Sequence, residues 1–364
     1  MTELNLHEFH VGVGGHFGEV NGMEVVSHYG DALAEHAALR ESAGVADLSF
    51  RGRLCLTGAD RKRFLHGQVT NNVMDLEVGE GCYAALVTAK GRLQSDLNIY
   101  SLAQELLLDF EPGLSGAVVR RLESYIIADD VQVADVAPYY GLLTVQGPKS
   151  GAVLTSLGWN IHLPAKLLAV SSASDAALGE IYCVNQPRGS ALGFDLFVPA
   201  AALRRVAERL MAVVHPVGGR ATGWEAMEMV RVEAGVPRFG CDMDETNLPP
   251  ETGIERRAVS YTKGCYIGQE VIARIRTYGQ VAKALRGLRL SDQLQELPKR
   301  GDKLFCEGKE VGFITSVLAS PACQANIALG YVRREHHQIG AVLQVRSAAA
   351  ESEATIVPLP FPLG

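Results

Sequence analysis

Lys263-Gly264-Cys265-Tyr266-Ile267-Gly268-Gln269-Glu270 packs two glycines, a thiol, an aromatic ring, an amide and both signs of charge into eight residues. It has neither the two-residue period of a strand nor the three-to-four-residue period of a helix, so packing alone does not explain it. Gly264 and Gly268 permit positive φ or close backbone approach, which predicts a tight turn that presents side chains. Cys265 lies two residues from Lys263. A nearby cation and free backbone N–H groups favour a thiolate, which makes this thiol a candidate functional group.

The chain around this octet is long enough for two or three domains, at 364 residues. Hydrophobic residues make up 47% and charged residues 21%, an ordinary globular balance. No apolar run reaches the length of a membrane span. The first ten residues carry neither a basic nor an apolar leader region, so no secretory signal is expected. Seven cysteines are scattered with no C-x-x-C pair, which points to a reducing, cytoplasmic setting without disulfides or structural zinc. The net charge of −7 argues against direct nucleic-acid binding.

Upstream, the periodicity predicts helices over 31–43 and from Asp60 to Leu65, and a strand at Arg53–Leu56. Strands at Tyr83–Thr88 and Leu93–Tyr100 flank a hairpin turn at Ala89-Lys90-Gly91-Arg92. Pro112 suits the first turn of a helix reaching about Ile126, and Val131–Val136 returns as a strand. Residues 139–235 repeat this texture, with strands near 142–146, 167–171, 180–184 and 192–198. Helices are expected after Gly147-Pro148 and over 200–213 and 222–234. Two α+β units result, covering 1–280 with splits near 50 and 137, and no doubly wound sheet is expected. From about 283 the texture switches to short strands punctuated by glycines, which predicts a small antiparallel β-barrel over 281–364. The tail after Pro358 reads as extended and loose.

Three further segments carry candidate chemistry. Arg231-Val-Glu233-Ala-Gly235-Val-Pro237 combines charges with more glycine and proline than a helix stop needs. Asp47 or Ser49 fits a cap, and Gln68, Thr70, Asn71 and Asn72 fit a polar loop. In Gly193-Phe194-Asp195-Leu196-Phe197 a lone acid sits in an apolar strand, on the face opposite Phe194 and Leu196. On a cavity face such a carboxylate accepts two parallel N–H bonds from an amino-pyrimidinone edge. His336-His337 reads as a charged turn, no metal site is expected, and Gly12-Val-Gly14-Gly15 follows no convincing strand.

These residues together resemble the glycine-cleavage T-protein (aminomethyltransferase) superfamily. The matching features are Glu35…Leu39-Arg40…Gly44-Val45…Asp47-Leu48-Ser49, Phe64-Leu65…Thr70-Asn71, Gly193-Phe194-Asp195 and Arg231-x-Glu233-Ala-Gly235-x-Pro237-x-x-Gly240-x-Asp242. The octet looks like the signature of one branch: folate-binding relatives linked to iron–sulfur cluster assembly and repair and to tRNA modification. The resemblance implies an α+β fold, a three-domain cloverleaf of two α+β units plus a C-terminal antiparallel β-barrel around a central channel. It implies tetrahydrofolate, or a one-carbon-substituted folate, in that channel. Asp195 stands at the pteridine-binding carboxylate position, where most T-proteins carry Glu. Tyr83, Asn71, Arg231, Lys263 and Tyr266 are implied as further folate contacts, with Asp96 and Cys265 as catalytic candidates.

The chain departs from that pattern in three places. Met227-Glu228 stands where true T-proteins often carry Arg-Asp, Ser95-Asp96 where they carry Asp-Asp, and the cysteine octet replaces a different segment. Each change weighs against aminomethyl transfer and leaves folate binding intact. The leading expectation is therefore a monomeric, cytoplasmic folate-binding homologue in iron–sulfur cluster maintenance, with assembly proteins or client enzymes as partners. The alternatives are a genuine aminomethyltransferase, which releases ammonia and forms methylene-tetrahydrofolate, and a non-catalytic folate-sensing scaffold.

Overall fold

The computed structural model describes residues 1–189, 191–347 and 351–364. It divides into two compact units, Met1–Leu86 with Ser95–Glu228, and Val87–Gln94 with Met229–Gly364.

The first unit is built on two large sheets, with a two-stranded sheet of His16–Val20 and Met23–His28 preceding them in the sequence. A five-stranded sheet has the order Gly81–Val87, Leu93–Ser101, Leu106–Phe110, Gly52–Thr57, Gln132–Asp135. A six-stranded sheet has the order Val170–Asp175, Gly179–Asn185, Gly193–Pro199, Tyr140–Gln146, Gly44–Asp47, Arg220–Ala221. Only its last pair is parallel. One face of the five-stranded sheet carries Leu54, Leu56, Leu106, Leu108 and Phe110. It is covered by Phe64 and Leu65 of helix Arg61–Gln68 and by Val118 and Leu122 of helix Ser115–Glu123. One face of the six-stranded sheet is covered by helix Leu203–Val214, whose Leu203, Val206, Ala207, Leu210 and Val214 recur at helical spacing.

The remaining faces share a third cluster, which contains Cys55, Tyr100, Leu107, Leu142, Val184 and Phe197. Tyr100 and Phe197 meet edge to face, 5.8 Å apart. Strand alternation then dictates what else enters this layer. Asp96 and Asn98 share a face with Tyr100, Asp109 with Leu107, Arg53 with Cys55, and Asp195 with Phe197. Polar groups are thereby delivered into an apolar interior.

In the second unit six antiparallel strands close a barrel: Lys283–Leu290, Ala325–Arg333, Lys309–Ser320, Lys303–Cys306, Val342–Arg346 and Glu351–Val357, which returns to the first. Leu288, Leu304, Ile314, Val332, Val345 and Ile356 fill its interior. The expected α+β class with a C-terminal antiparallel barrel is therefore observed.

Several expectations are corrected. Gly44–Asp47 is a fully buried strand, because its N–H and C=O groups are taken by Tyr140–Gln146 on one side and by Arg220–Ala221 on the other. Leu106–Phe110, apolar except for Asp109, is an additional central strand. Pro112 precedes the following helix, which begins at Ser115 and ends at Glu123, short of Ile126. The tail is anchored. Phe361 is 4% exposed, its N–H donates to the Glu233 carbonyl at 3.0 Å, and Leu359 packs on Gly235. The octet is a loop only as far as Gly268, which at φ +84° precedes helix Gln269–Tyr278.

Candidate functional site

The mixed layer of the first unit holds a run of buried charges. Glu111 pairs with Arg51. Arg51 Nε donates to Asp109 at 2.7 Å, and Asn98 Nδ2, directly across the ladder, donates to Asp109 at 3.0 Å. From the other sheet, Arg188 Nη2 reaches Asp109 at 2.9 Å and Asp195 at 2.5 Å, while its Nε lies 3.0 and 3.1 Å from the two Asp195 oxygens. Signs thus alternate along Glu111, Arg51, Asp109, Arg188 and Asp195, a sequence that spares each charge an unpaired burial. Burial pulls the Asp109 carboxyl up, but the charges of Arg51 and Arg188 outweigh it and hold it well below the carboxylate range. Burial raises Asp195, and the single guanidinium of Arg188 opposes this without cancelling it. For Arg188, burial works against the charge, and its two carboxylates lift the guanidinium well above its ordinary value.

Beside this run sits a second group. Asn71 Nδ2 donates to the Tyr83 carbonyl at 2.8 Å, and Tyr83 Oη donates to Asp96 Oδ2 at 2.8 Å. The other carboxylate oxygen, Oδ1, is buried and has no hydrogen-bond partner among the described residues. Burial, with Glu111 nearby, pushes the Asp96 carboxyl up to about 6, against the Tyr83 hydrogen bond and Arg51. A carboxyl poised there changes protonation state close to neutrality and can accept or return a proton.

The other sequence-derived residues lie in the second unit. Arg231 donates to Asp242 and to the Val236 carbonyl, both at 2.7 Å, and to Ser316 at 3.1 Å, an arrangement that fastens the Gly235–Asp242 loop to a barrel strand. Lys263 is buried with its Nζ 4.9 Å from the centre of the Tyr266 ring. Burial pushes the Tyr266 phenol up to about 12. Cys265 alone of the seven cysteines is exposed, whereas burial raises the thiols of Cys55 and Cys183 well above their ordinary value. The structure therefore gathers Asn71, Tyr83, Asp96 and Asp195 in one unit and Arg231, Lys263, Cys265 and Tyr266 in the other.

Sequence reasoning missed Arg51, Asp109 and Arg188. Asp109 had the same signal as Asp195, a lone acid inside an apolar strand, Leu106-Leu107-Leu108-Asp109-Phe110. Among the described residues no cluster of His, Cys, Asp and Glu could hold a metal ion. No helix among them is long and apolar enough to cross a membrane.

Comparison with known families decides the assignment. The GCVT N-terminal domain profile matches residues 6–263, and the glycine cleavage T-protein C-terminal barrel domain profile matches 283–362. The chain belongs to the glycine cleavage T-protein family. Among T-protein relatives, an aminomethyltransferase of Saccharopolyspora erythraea is 28% identical over 358 residues, covering 98% of this chain and 96% of the relative. One from Desulforamulus reducens is 28% identical over 369 residues, covering 99% of each. The crystal structure of the glycine cleavage system aminomethyltransferase T from Bartonella henselae superposes with a TM-score of 0.88 at 23% identity, over 99% of this chain and 98% of that one. That likeness establishes a shared fold.

Proposed function

We propose that this T-protein family member binds tetrahydrofolate and transfers a one-carbon unit to it, with the aminomethyl group of a lipoyl-bound carrier as donor. The observation that carries this reading is Asp96. One of its oxygens is fixed by Tyr83, the other is buried and unpartnered among the described residues, and burial lifts its carboxyl to about 6. An orphaned buried acceptor fits a ligand N–H, since an unmet acceptor is costly to leave in place. Tetrahydrofolate supplies the amine nitrogens on which a one-carbon unit is carried. Tyr83 orients Asp96, and the Asp96 carboxylate holds or removes a proton at Oδ1. Asn71 steadies the strand that bears Tyr83. Asp195, whose two oxygens Arg188 engages in this structure, is the acceptor for the pteridine edge. Full-length relatives named aminomethyltransferase support the same class.

The test uses purified protein, tetrahydrofolate and an aminomethylated carrier. Ammonia and methylene-tetrahydrofolate should form, and Asp96→Asn should slow both about 10²–10⁴-fold. Folate binding without ammonia release refutes the transferase reading.

A second reading is favoured by one feature, the exposed Cys265 within the Lys-Gly-Cys-Tyr-x-Gly-Gln-Glu octet. It makes the chain a folate-dependent protein of iron–sulfur cluster maintenance, with Cys265 working on a client or assembly partner. Its test is complementation of a strain lacking the protein. Cys265→Ser should fail to restore cluster-enzyme activity while retaining folate affinity, and full rescue by that variant excludes this reading.

A further inference from the structure

The geometry points to Arg188 as an internal competitor for the folate site: its guanidinium occupies the Asp195 carboxylate that the pteridine edge would use, and folate binds by displacing it. This inference rests on the folate reading above. A guanidinium offers parallel N–H donors in a plane, as does a 2-amino-4-oxopyrimidine edge, and both match a carboxylate. Arg188 uses that match fully, with Nε against both Asp195 oxygens at 3.1 and 3.0 Å and Nη2 at 2.5 Å. The two donors cannot hold the same oxygens at once.

The arginine is placed there by construction. Gln146, itself buried, accepts from the Arg188 backbone N–H at 2.9 Å through Oε1. Its Nε2 donates to the Gln186 carbonyl at 3.0 Å and to the Thr144 hydroxyl at 2.6 Å. Thr144 and Gln146 lie on the strand paired with Gly193–Pro199, so one strand sets both the carboxylate and the segment that covers it.

Displacement leaves little unpaired. Asp109 keeps Arg51 at 2.7 Å and Asn98 at 3.0 Å when Arg188 leaves. Asp195 exchanges one set of donors for another. The Arg188 side chain keeps 12% exposure while that of Asp195 has none, so of the two partners it is the arginine that has to turn outward. Folate affinity is then reduced by the fraction of molecules in which the arginine is docked.

The experiment measures dissociation constants by calorimetry for tetrahydrofolate, 6-methyltetrahydropterin and p-aminobenzoylglutamate, with wild type, Arg188→Lys and Arg188→Gln. Arg188→Lys keeps the charge between Asp109 and Asp195 but loses the planar fork. Both variants should bind the two pterins at least about tenfold more tightly, a factor set by the docked fraction removed. p-Aminobenzoylglutamate, which lacks the edge, should gain nothing. Unchanged or weaker pterin binding, or an equal gain for p-aminobenzoylglutamate, overturns the proposal. A measurement on the wild type covers the case of variants that do not fold. The Arg188 Nε–H resonance in ¹⁵N-labelled protein should shift and exchange faster at saturating tetrahydrofolate. If folate binds and that signal stays fixed, Arg188 is a permanent strut and the competitor is refuted while the folate reading stands. If no form of the protein binds any folate, both fall.

Discussion

Asp109→Asn is the sharpest test of the buried charge run. The substitution keeps the shape of the side chain and removes its charge. Asp109 is fully buried and accepts from Arg51 Nε at 2.7 Å, Arg51 Nη2 at 3.3 Å, Arg188 Nη2 at 2.9 Å and Asn98 Nδ2 at 3.0 Å. Breaking a buried ion pair from one side costs about 3–5 kcal/mol. Here each arginine retains one carboxylate, Glu111 for Arg51 and Asp195 for Arg188, so the lower end, about 3 kcal/mol, is expected. In a unit of roughly 200 residues that corresponds to a fall in melting temperature of about 6–12 °C. The pH dependence gives an independent check. The folded-state value of Asp109 lies below its unfolded value, so its contribution is present above about pH 4 and is lost as pH falls further. The gap between wild type and Asp109→Asn should be full at pH 7 and should narrow below pH 4. Differential scanning calorimetry and urea unfolding at both pH values measure it. A loss under about 1 kcal/mol at neutral pH would refute the idea that Asp109 is the keystone of the run. Glu208→Gln, which breaks an exposed helix pair with Arg204, should change stability by less than about 0.5 kcal/mol and serves as the control.

Other outcomes follow from the same geometry. Transferase activity should rise with pH through about 6 and level off above it, as Asp96 ionises, and Asp96→Asn should lower the rate by about 10²–10⁴-fold; a profile flat from pH 5 to 8 removes Asp96 from proton transfer. Gly268→Ala places a Cβ 2.5 Å from the Thr88 carbonyl oxygen at φ +84°, so it should cost about 2 kcal/mol or more in urea unfolding, and an unshifted midpoint contradicts that. Timed alkylation with mass mapping should label Cys265 well before Cys55 and Cys183; equal rates would mean that its exposure confers no reactivity.

What was legible in the sequence is what short-range periodicity encodes. Alternation placed Asp195 on the face away from Phe194 and Leu196, and glycine punctuation exposed most of the barrel. Family-specific residues carried the superfamily. The missing pieces depend on contacts between segments distant in sequence. Gly44–Asp47 is too short for its pattern to separate strand from cap, and it is fixed by strands nearly 100 and 175 residues away. Glu351–Val357 turns only Ala354 and Ile356 inward, so its glutamates and serine hid the closing strand. Arg188 follows a proline in an irregular segment, where no period says which way a side chain points. That Asp195 would meet a guanidinium required knowing that Gln146 holds the Arg188 backbone in place.

The segment Val87–Gln94 has a consequence for modularity. It belongs to the second unit although more than a hundred residues separate it from the rest of that unit. Leu93 donates to the Asn247 carbonyl at 2.9 Å, Arg92 bonds the Thr246 carbonyl, and Gly91 lies against Leu248 and Val271. A gene fragment encoding 229–364 alone would lack all of these partners. The second unit is therefore not a cassette that recombination could move by a single cut. Duplication or transplantation of the whole second unit has to carry an eight-residue splice from the N-terminal half with it, which ties the inheritance of the two halves together.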